Sequence, residues 1–168
     1  CLRLFFCAGF HKLTLKIGIM NTVNNPEQPL IAFINDKSPI LDLTCNDLVA
    51  SGINVLFRSQ NIEDGLSQLS ALKTLPNVCI IDLDFYNKVI LQQLQEIRTK
   101  YPSIKLIGHS DIDTEKTVKT ILKIGFESYL LIGSDAEDFE KAIVAVINDR
   151  RYFSVGVAKT VQEYFSNK

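Results

Sequence analysis

The sequence predicts an α/β fold: a three-layer α/β/α sandwich built around a five-stranded parallel sheet. Three observations carry this. Short apolar runs alternate with stretches of helical periodicity, five times over about 118 residues from position 30 onward. The runs are continuously apolar, as strands covered on both faces require. The connections are two to six residues long, so consecutive units pack side by side with right-handed crossovers.

Taken in order, LIAFI (30–34) is the first strand. PILDLTCNDLVASG comes next, with Leu41, Cys45, Leu48 and Val49 at helical spacing and Gly52 in a helix-stop position. INVLF (53–57) is the second strand, and the next helix aligns Ile62, Leu66 and Leu69 on one face. NVCIID (77–82) is the third strand. The helix after it places Ile90, Leu94, Ile97 and Tyr101 together before Pro102 stops it. SIKLIGHS is the fourth strand, DTEKTVKTILKIG the fourth helix closed by Gly125, and SYLLI the fifth strand. The last helix of the repeat opens at Ser134 with Glu137 three residues on, an S-x-x-E capping box, and its apolar face is Phe139, Ala142, Ile143 and Val146.

The chain divides into an N-terminal extension (1–29), a core unit (30–148) and a tail (149–168). Met20 is the only methionine, so residues 1–19 read as a non-native extension. A signal peptide is the rival for LRLFFCAGF, but the run is short, Lys12 and Lys16 come at once after it, and no A-x-A site appears. It is also too short and too charged to span a bilayer. The alternation in KLTLKIGI suits a strand at an edge or a dimer contact.

At 46% apolar, 22% charged and a formal net charge of −1, the chain has the composition of a globular domain. It has no general attraction for nucleic acid or an anionic membrane. The four cysteines (Cys1, Cys7, Cys45, Cys79) form no C-x-x-C pair and no metal-ligand spacing with His11 or His109. A reducing cytoplasm is the plain expectation.

Ligands of an open parallel sheet bind beyond the carboxyl ends of its strands. The first strand ends in Asn35-Asp36, the third in Asp82, the fourth in His109-Ser110 and the fifth in Ile132-Gly133. Such residues often do no more than cap the next helix or form a turn. Converging from neighbouring strands, however, two carboxylates and a hydroxyl are hard oxygen donors suited to Mg²⁺. A carboxylate there can also accept a phosphoryl group as an acyl phosphate.

With FINDKSPI at the first strand end, IIDLDFYN at the third, KLIGHS at the fourth and SYLLIGS at the fifth, residues 30–148 resemble the receiver domain of two-component response regulators. The resemblance implies a flavodoxin-like sheet of strand order 2-1-3-4-5. It also implies phosphorelay signalling that regulates an effector, with transcription as the expected output. It makes Asp82 the phosphoacceptor, Ser110 the phosphoryl contact and Tyr129 the switch aromatic. Mg²⁺ would be held by Asp36, Asp82, the backbone carbonyl of Asp84 and, through water, Asn35. A sensor histidine kinase or a small phosphodonor would supply the phosphoryl group. The family pattern is not complete. Asn35 replaces one acid, DFYN lacks the usual Met-Pro, and Ile132 stands where the family carries lysine. Lys37, Lys88 and His109 are the side chains placed by spacing to reach the site from nearby loops.

The tail, DRRYFSVGVAKTVQEYF, is similar to the segment that succeeds the receiver in regulators ending in a LuxR-type helix-turn-helix. Val157, Val161, Tyr164 and Phe165 fall on one face of a short helix, which packs on its own domain or forms a homodimer contact. DNA would be reached only through an effector domain that is not within these residues. The alternative function is a phosphorylation-independent pseudo-receiver acting as a protein–protein interaction module. A flavin carrier or small α/β enzyme is disfavoured: NDKSPI has no glycine for a phosphate loop, and no G-x-S-x-G or dinucleotide-binding glycine pattern appears.

Overall fold

The structure, a computed structural model, describes residues 28–36, 39–83 and 88–167. The N-terminal extension up to residue 27, Lys37 and Asp84 lie outside the described residues, and with them Cys1, Cys7, His11 and the KLTLKIGI segment.

Strands and helices alternate along the described chain: β1 (Leu30–Ile34), α1 (Pro39–Ala50), β2 (Asn54–Arg58), α2 (Ile62–Ala71), β3 (Val78–Asp82), α3 (Lys88–Lys100), β4 (Lys105–Ser110), α4 (Glu115–Ile124), β5 (Ser128–Leu131), α5 (Ala136–Ile147), β6 (Tyr152–Phe153) and α6 (Ala158–Ser166). All neighbouring strands pair in parallel. The expected order 2-1-3-4-5 is present and is extended by one strand, giving β2-β1-β3-β4-β5-β6.

The period-two geometry of the strands divides their side chains between two cores. Ile31, Phe33, Val78, Ile80, Ile107 and Leu130 pack under α1 and α5, through Leu41, Cys45, Leu48, Phe139, Ala142, Ile143 and Val146. Ala32, Ile34, Cys79, Ile81, Leu106 and Tyr129 face the other way, under α2, α3 and α4. Cys79 lies wholly inside this second core, where burial pushes its thiol up to about 12 and leaves it a small apolar filler. Val49, expected on the buried face of α1, is instead mostly exposed. That helix turns Leu41, Cys45 and Leu48 inward, and Val49 falls a further 100° round.

Two ends differ from expectation for physical reasons. The cap of α5 is Asp135 rather than Ser134: the Asp135 carboxylate accepts the Asp138 N–H at 3.0 Å. Ser134 turns its hydroxyl to Ser154, 3.3 Å away. The sixth strand, only two residues long, carries no alternation to detect. It forms because Ser128 Oγ donates to the Tyr152 carbonyl at 2.5 Å and the Leu131 N–H donates to Ser154 Oγ at 3.0 Å. Beyond it, a single 3₁₀ turn (Val155–Val157) leads into α6, whose Val161 and Tyr164 join the core under α4. The tail helix thus packs on its own domain, with Phe165 half-buried and stacked under the Arg151 guanidinium, 4.2 Å from the ring centre.

Gly108 of β4 permits a close approach by Tyr129. A Cβ built there would lie 2.9 Å from the Tyr129 ring and 3.1 Å from Leu83 Cδ1. Gly108→Ala is therefore expected to lose about 1–3 kcal/mol through overpacking. Urea denaturation measures the loss, and near-UV circular dichroism reports the displaced tyrosine.

Candidate functional site

The carboxyl ends of β1, β2, β3 and β4 meet at one pole of the sheet, and the residues just past each apolar run build the site. At the end of β1, Asn35 adopts a left-handed backbone (φ 60°), a conformation asparagine tolerates better than most residues. This turn lets its side-chain amide donate to the Asp82 carbonyl at 2.8 Å. Asn35 therefore ties the end of β1 to the end of β3, and its oxygen is what is left for any water-mediated ligand.

Asp36 is next in the chain, its side chain 1% exposed. One oxygen, Oδ2, accepts from both Nε and Nη2 of Arg58, and the same Nη2 reaches Asp42 Oδ1 at 2.7 Å. The other oxygen, Oδ1, is buried and has no hydrogen-bond partner among the described residues. Arg58 is not among the residues the sequence singles out, because only the ends of the first, third, fourth and fifth strands carry a polar pair or a family match. An arginine closing an otherwise apolar strand was the available signal.

Its direction could not be read locally. In the β1–β2 ladder Ile31 pairs with Val55 but Ala32 pairs with Phe57, so Leu56 is an extra residue. This bulge shifts the register by one and puts Arg58 opposite Phe33, on the α1 face, rather than opposite Ile34 on the α2 face.

Asp82, the last residue of β3, is nearly buried at 7% exposure. It pairs in register with His109 of β4, and parallel register puts both side chains on the α1–α5 face. His109 Nδ1 lies 3.7 Å from Asp82 Oδ1, too far for a hydrogen bond, and has no other partner among the described residues. Its ring rests 5.4 Å from that of Phe139.

Ser110 is 1% exposed and already engaged: its hydroxyl donates to the Leu83 carbonyl at 3.2 Å and accepts the Ile112 N–H at 3.1 Å. Tyr129 is fully buried, its hydroxyl donating to the Ile112 carbonyl at 2.6 Å. Ile132 joins the pole through its backbone, its N–H donating to the Ser110 carbonyl at 2.9 Å, while the residue is 56% exposed. Of the side chains near by spacing, His109 approaches the Asp82 carboxylate, and Lys88 is exposed at the start of α3.

The electrostatics arise from this packing. Burial pushes the Asp36 carboxyl above its ordinary 3.8; the Arg58 hydrogen bond and charge pull it back in part, and the charges of Asp42 and Asp82 raise it again. For Arg58, burial works against the charge, but the hydrogen bonds to Asp36 and Asp42 outweigh it and hold the guanidinium more firmly protonated. A cation beside Asp36 Oδ1 and Asp82 would relieve both the orphaned oxygen and the mutual repulsion. Among the described residues no three His, Cys, Asp or Glu side chains gather as a metal cluster. Mg²⁺, however, needs only one or two carboxylates and keeps its waters, so the donor set fits that ion.

Because the folded pKa of Asp36 lies above the unfolded one, the fold favours its protonated form. That contribution is fully present below 3.8 and is lost as pH rises through the folded pKa. Asp36→Asn removes this titration. The stability difference, wild type minus variant, is expected to fall across that interval in urea melts run from about pH 3 to 7.

No family model matches the chain. It is 29% identical over 119 residues to the nitrate/nitrite response regulator protein NarL of Escherichia coli strain K12, covering 70% of this chain and 54% of NarL. The NarL of strain CFT073 matches equally. The chain thus spans about half the length of the curated relatives it matches. Among solved structures, it superposes on the isolated REC domain of RcsB from Salmonella enterica serovar Typhimurium, in the presence of phosphomimetic BeF3-, with a TM-score of 0.66. That match has 16% identity and covers 79% of this chain and 98% of that one. A LuxR-family two-component response regulator from Aurantimonas sp. SI85-9A1 gives a TM-score of 0.69 at 18% identity, covering 83% of this chain and 99% of that chain. The chain is therefore similar in sequence to the response regulator NarL over 119 residues, and it has the fold of the REC domain of RcsB and of the LuxR-family regulator from Aurantimonas.

Proposed function

We propose that this receiver domain accepts a phosphoryl group on Asp82 and passes the change to a partner or effector. The observation that carries this reading is the Asp82 carboxylate at the end of a buried strand, nearly enclosed and repelling an Asp36 whose Oδ1 lacks a partner among the described residues. An Asp82 oxygen attacks the phosphorus of a phosphohistidine or a small acyl phosphate. The new O–P bond forms as the donor's P–N or P–O bond breaks, and the imidazole or carboxylate leaves. Asp36 and Asp82, with the Asp84 backbone carbonyl and, through water, Asn35, would hold Mg²⁺, which would supply charge neutralisation there.

The chain's own residues do the rest. Ser110 turns its hydroxyl from the Leu83 carbonyl to a phosphoryl oxygen, and the loop at Ile112, tied to both Ser110 and Tyr129, carries the change toward α4. The transfer is at most autocatalytic, within a signalling domain. A sensor histidine kinase or small phosphodonor is its source, and a homodimer and DNA contact through an effector domain outside these residues are its expected outputs. A cytoplasmic setting suits this role, since the free thiols of Cys45 and Cys79 stay reduced there. No helix of the described residues is long and apolar enough to cross a membrane.

A phosphorylation-independent interaction module is the second reading. It is favoured by Ile132, which offers an exposed apolar chain where a receiver uses a lysine. Incubation with Mg²⁺ and acetyl phosphate separates the two. The first predicts a phosphoryl mass gain that disappears in Asp82→Asn; absence of any gain in the wild type selects the second.

A further inference from the structure

The pole of the sheet already holds a cation of its own. Arg58 closes both Nε and Nη2 on one oxygen of Asp36 and shares Nη2 with Asp42. Asp36 is the better-buried of these acceptors, with a side chain 1% exposed, against 60% for Asp42. This arrangement is built rather than incidental. It depends on the bulge at Leu56, which turns Arg58 onto the α1 face. Backbone bonds hold it too: the Ser59 N–H donates to the Phe33 carbonyl at 2.9 Å and the Asp36 N–H to the Ser59 carbonyl at 2.8 Å. The guanidinium also lies 5.9 Å from the centre of the Phe33 ring.

Two facts stand against each other here. The Asp36 Oδ1 atom has no donor among the described residues, while Oδ2 receives two N–H groups from one arginine. A carboxylate can share its charge between a guanidinium and a metal ion, but two cations on one carboxylate repel each other across a partly buried space. Arg58 has a second acceptor in reach, the Asp42 carboxylate at 2.7 Å, and it is 32% exposed, so it has room to move toward solvent. The site therefore has two arrangements of the same charges: Arg58 on Asp36 and Asp42 together, or Arg58 on Asp42 alone with Asp36 turned to another cation.

Resting on the metal site proposed above, the geometry points to Arg58 as the resident counter-cation of the pocket, which a divalent ion must displace from Asp36 onto Asp42. Arg58 then sets the affinity of this site for Mg²⁺: it holds Asp36 in place in the metal-free protein and lowers the affinity by competing for it. It is a residue that tunes ion binding, not one that touches a phosphoryl group.

The test is a Mg²⁺ titration of the full chain by calorimetry, for wild type, Arg58→Gln and Asp36→Asn, with the Arg58 Nε–H signal followed by NMR in the wild type. Glutamine keeps an N–H for Asp36 while removing the charge. Arg58→Gln is expected to bind Mg²⁺ roughly tenfold more tightly, the order expected when one unit charge is removed within a few ångström of an ion in a partly buried pocket. Asp36→Asn is expected to lose binding, and the Nε–H signal to move along the same saturation curve as the heat. If the wild type binds Mg²⁺ but Arg58→Gln binds it equally or more weakly, Arg58 only positions Asp36: this inference fails and the metal site stands. If neither protein binds Mg²⁺, the metal site fails and the displacement with it. Should Arg58→Gln not fold, the wild-type signal decides alone, since an Nε–H resonance unmoved at saturating Mg²⁺ overturns the displacement.

Discussion

Complete burial of β3 is the constraint on which the rest of the structure depends. Every residue from Val78 to Asp82 is enclosed, between β1 and β4 in the sheet and between helices on both faces. A strand in that position can carry a charge only at its carboxyl end, where the chain leaves the two cores, and there Asp82 stands. The same enclosure forces its neighbours. Asn35 gives its amide to the Asp82 carbonyl because a buried carbonyl at a strand end needs a donor. His109 lies beside the carboxylate because parallel register puts it there.

The pole that results is acidic, with Asp36 and Asp82 buried, and one oxygen of Asp36 has no partner among the described residues. Asp36 and Asp82 repel each other, Asp42 adds a third negative charge, and Arg58 balances the group from β2. In the family pattern a lysine at the end of the fifth strand supplies a cation from the opposite side. Here that position is Ile132, turned to solvent. Among the described residues, the positive charge close to the acids thus comes from the β2 side of the pole, which bears on Asp36 more than on Asp82. That shift in where the cation sits separates this site from the family pattern more than the loss of a lysine alone.

At the other edge of the sheet, the tail closes what five strands would leave open. β6 pairs with β5 and Ser154 accepts the Leu131 N–H, so the outer edge of β5 does not face water unpaired. The α6 helix then lies against α4 and shares its core. Tyr129 sits beneath this cover, fully buried, with its hydroxyl on the Ile112 carbonyl. Any movement of that ring has to be made against the packing of Gly108 and the adjoining core.

The sequence by itself determined the order of elements, the parallel sheet and the acid at the end of the third strand. Continuous apolar runs and 3.6-residue periodicity are local properties, and Asp82 comes directly after such a run. It also placed the tail helix face, since Val157, Val161 and Tyr164 share one spacing. Only the tertiary structure decided the bulge at Leu56, the turning of Arg58 onto Asp36, the approach of His109 to Asp82 and the two-residue strand at Tyr152. Each depends on the register between strands far apart in the chain, where a shift of one residue exchanges the faces of the sheet. No local pattern encodes that exchange, because it is settled by which backbone groups pair once the strands lie side by side.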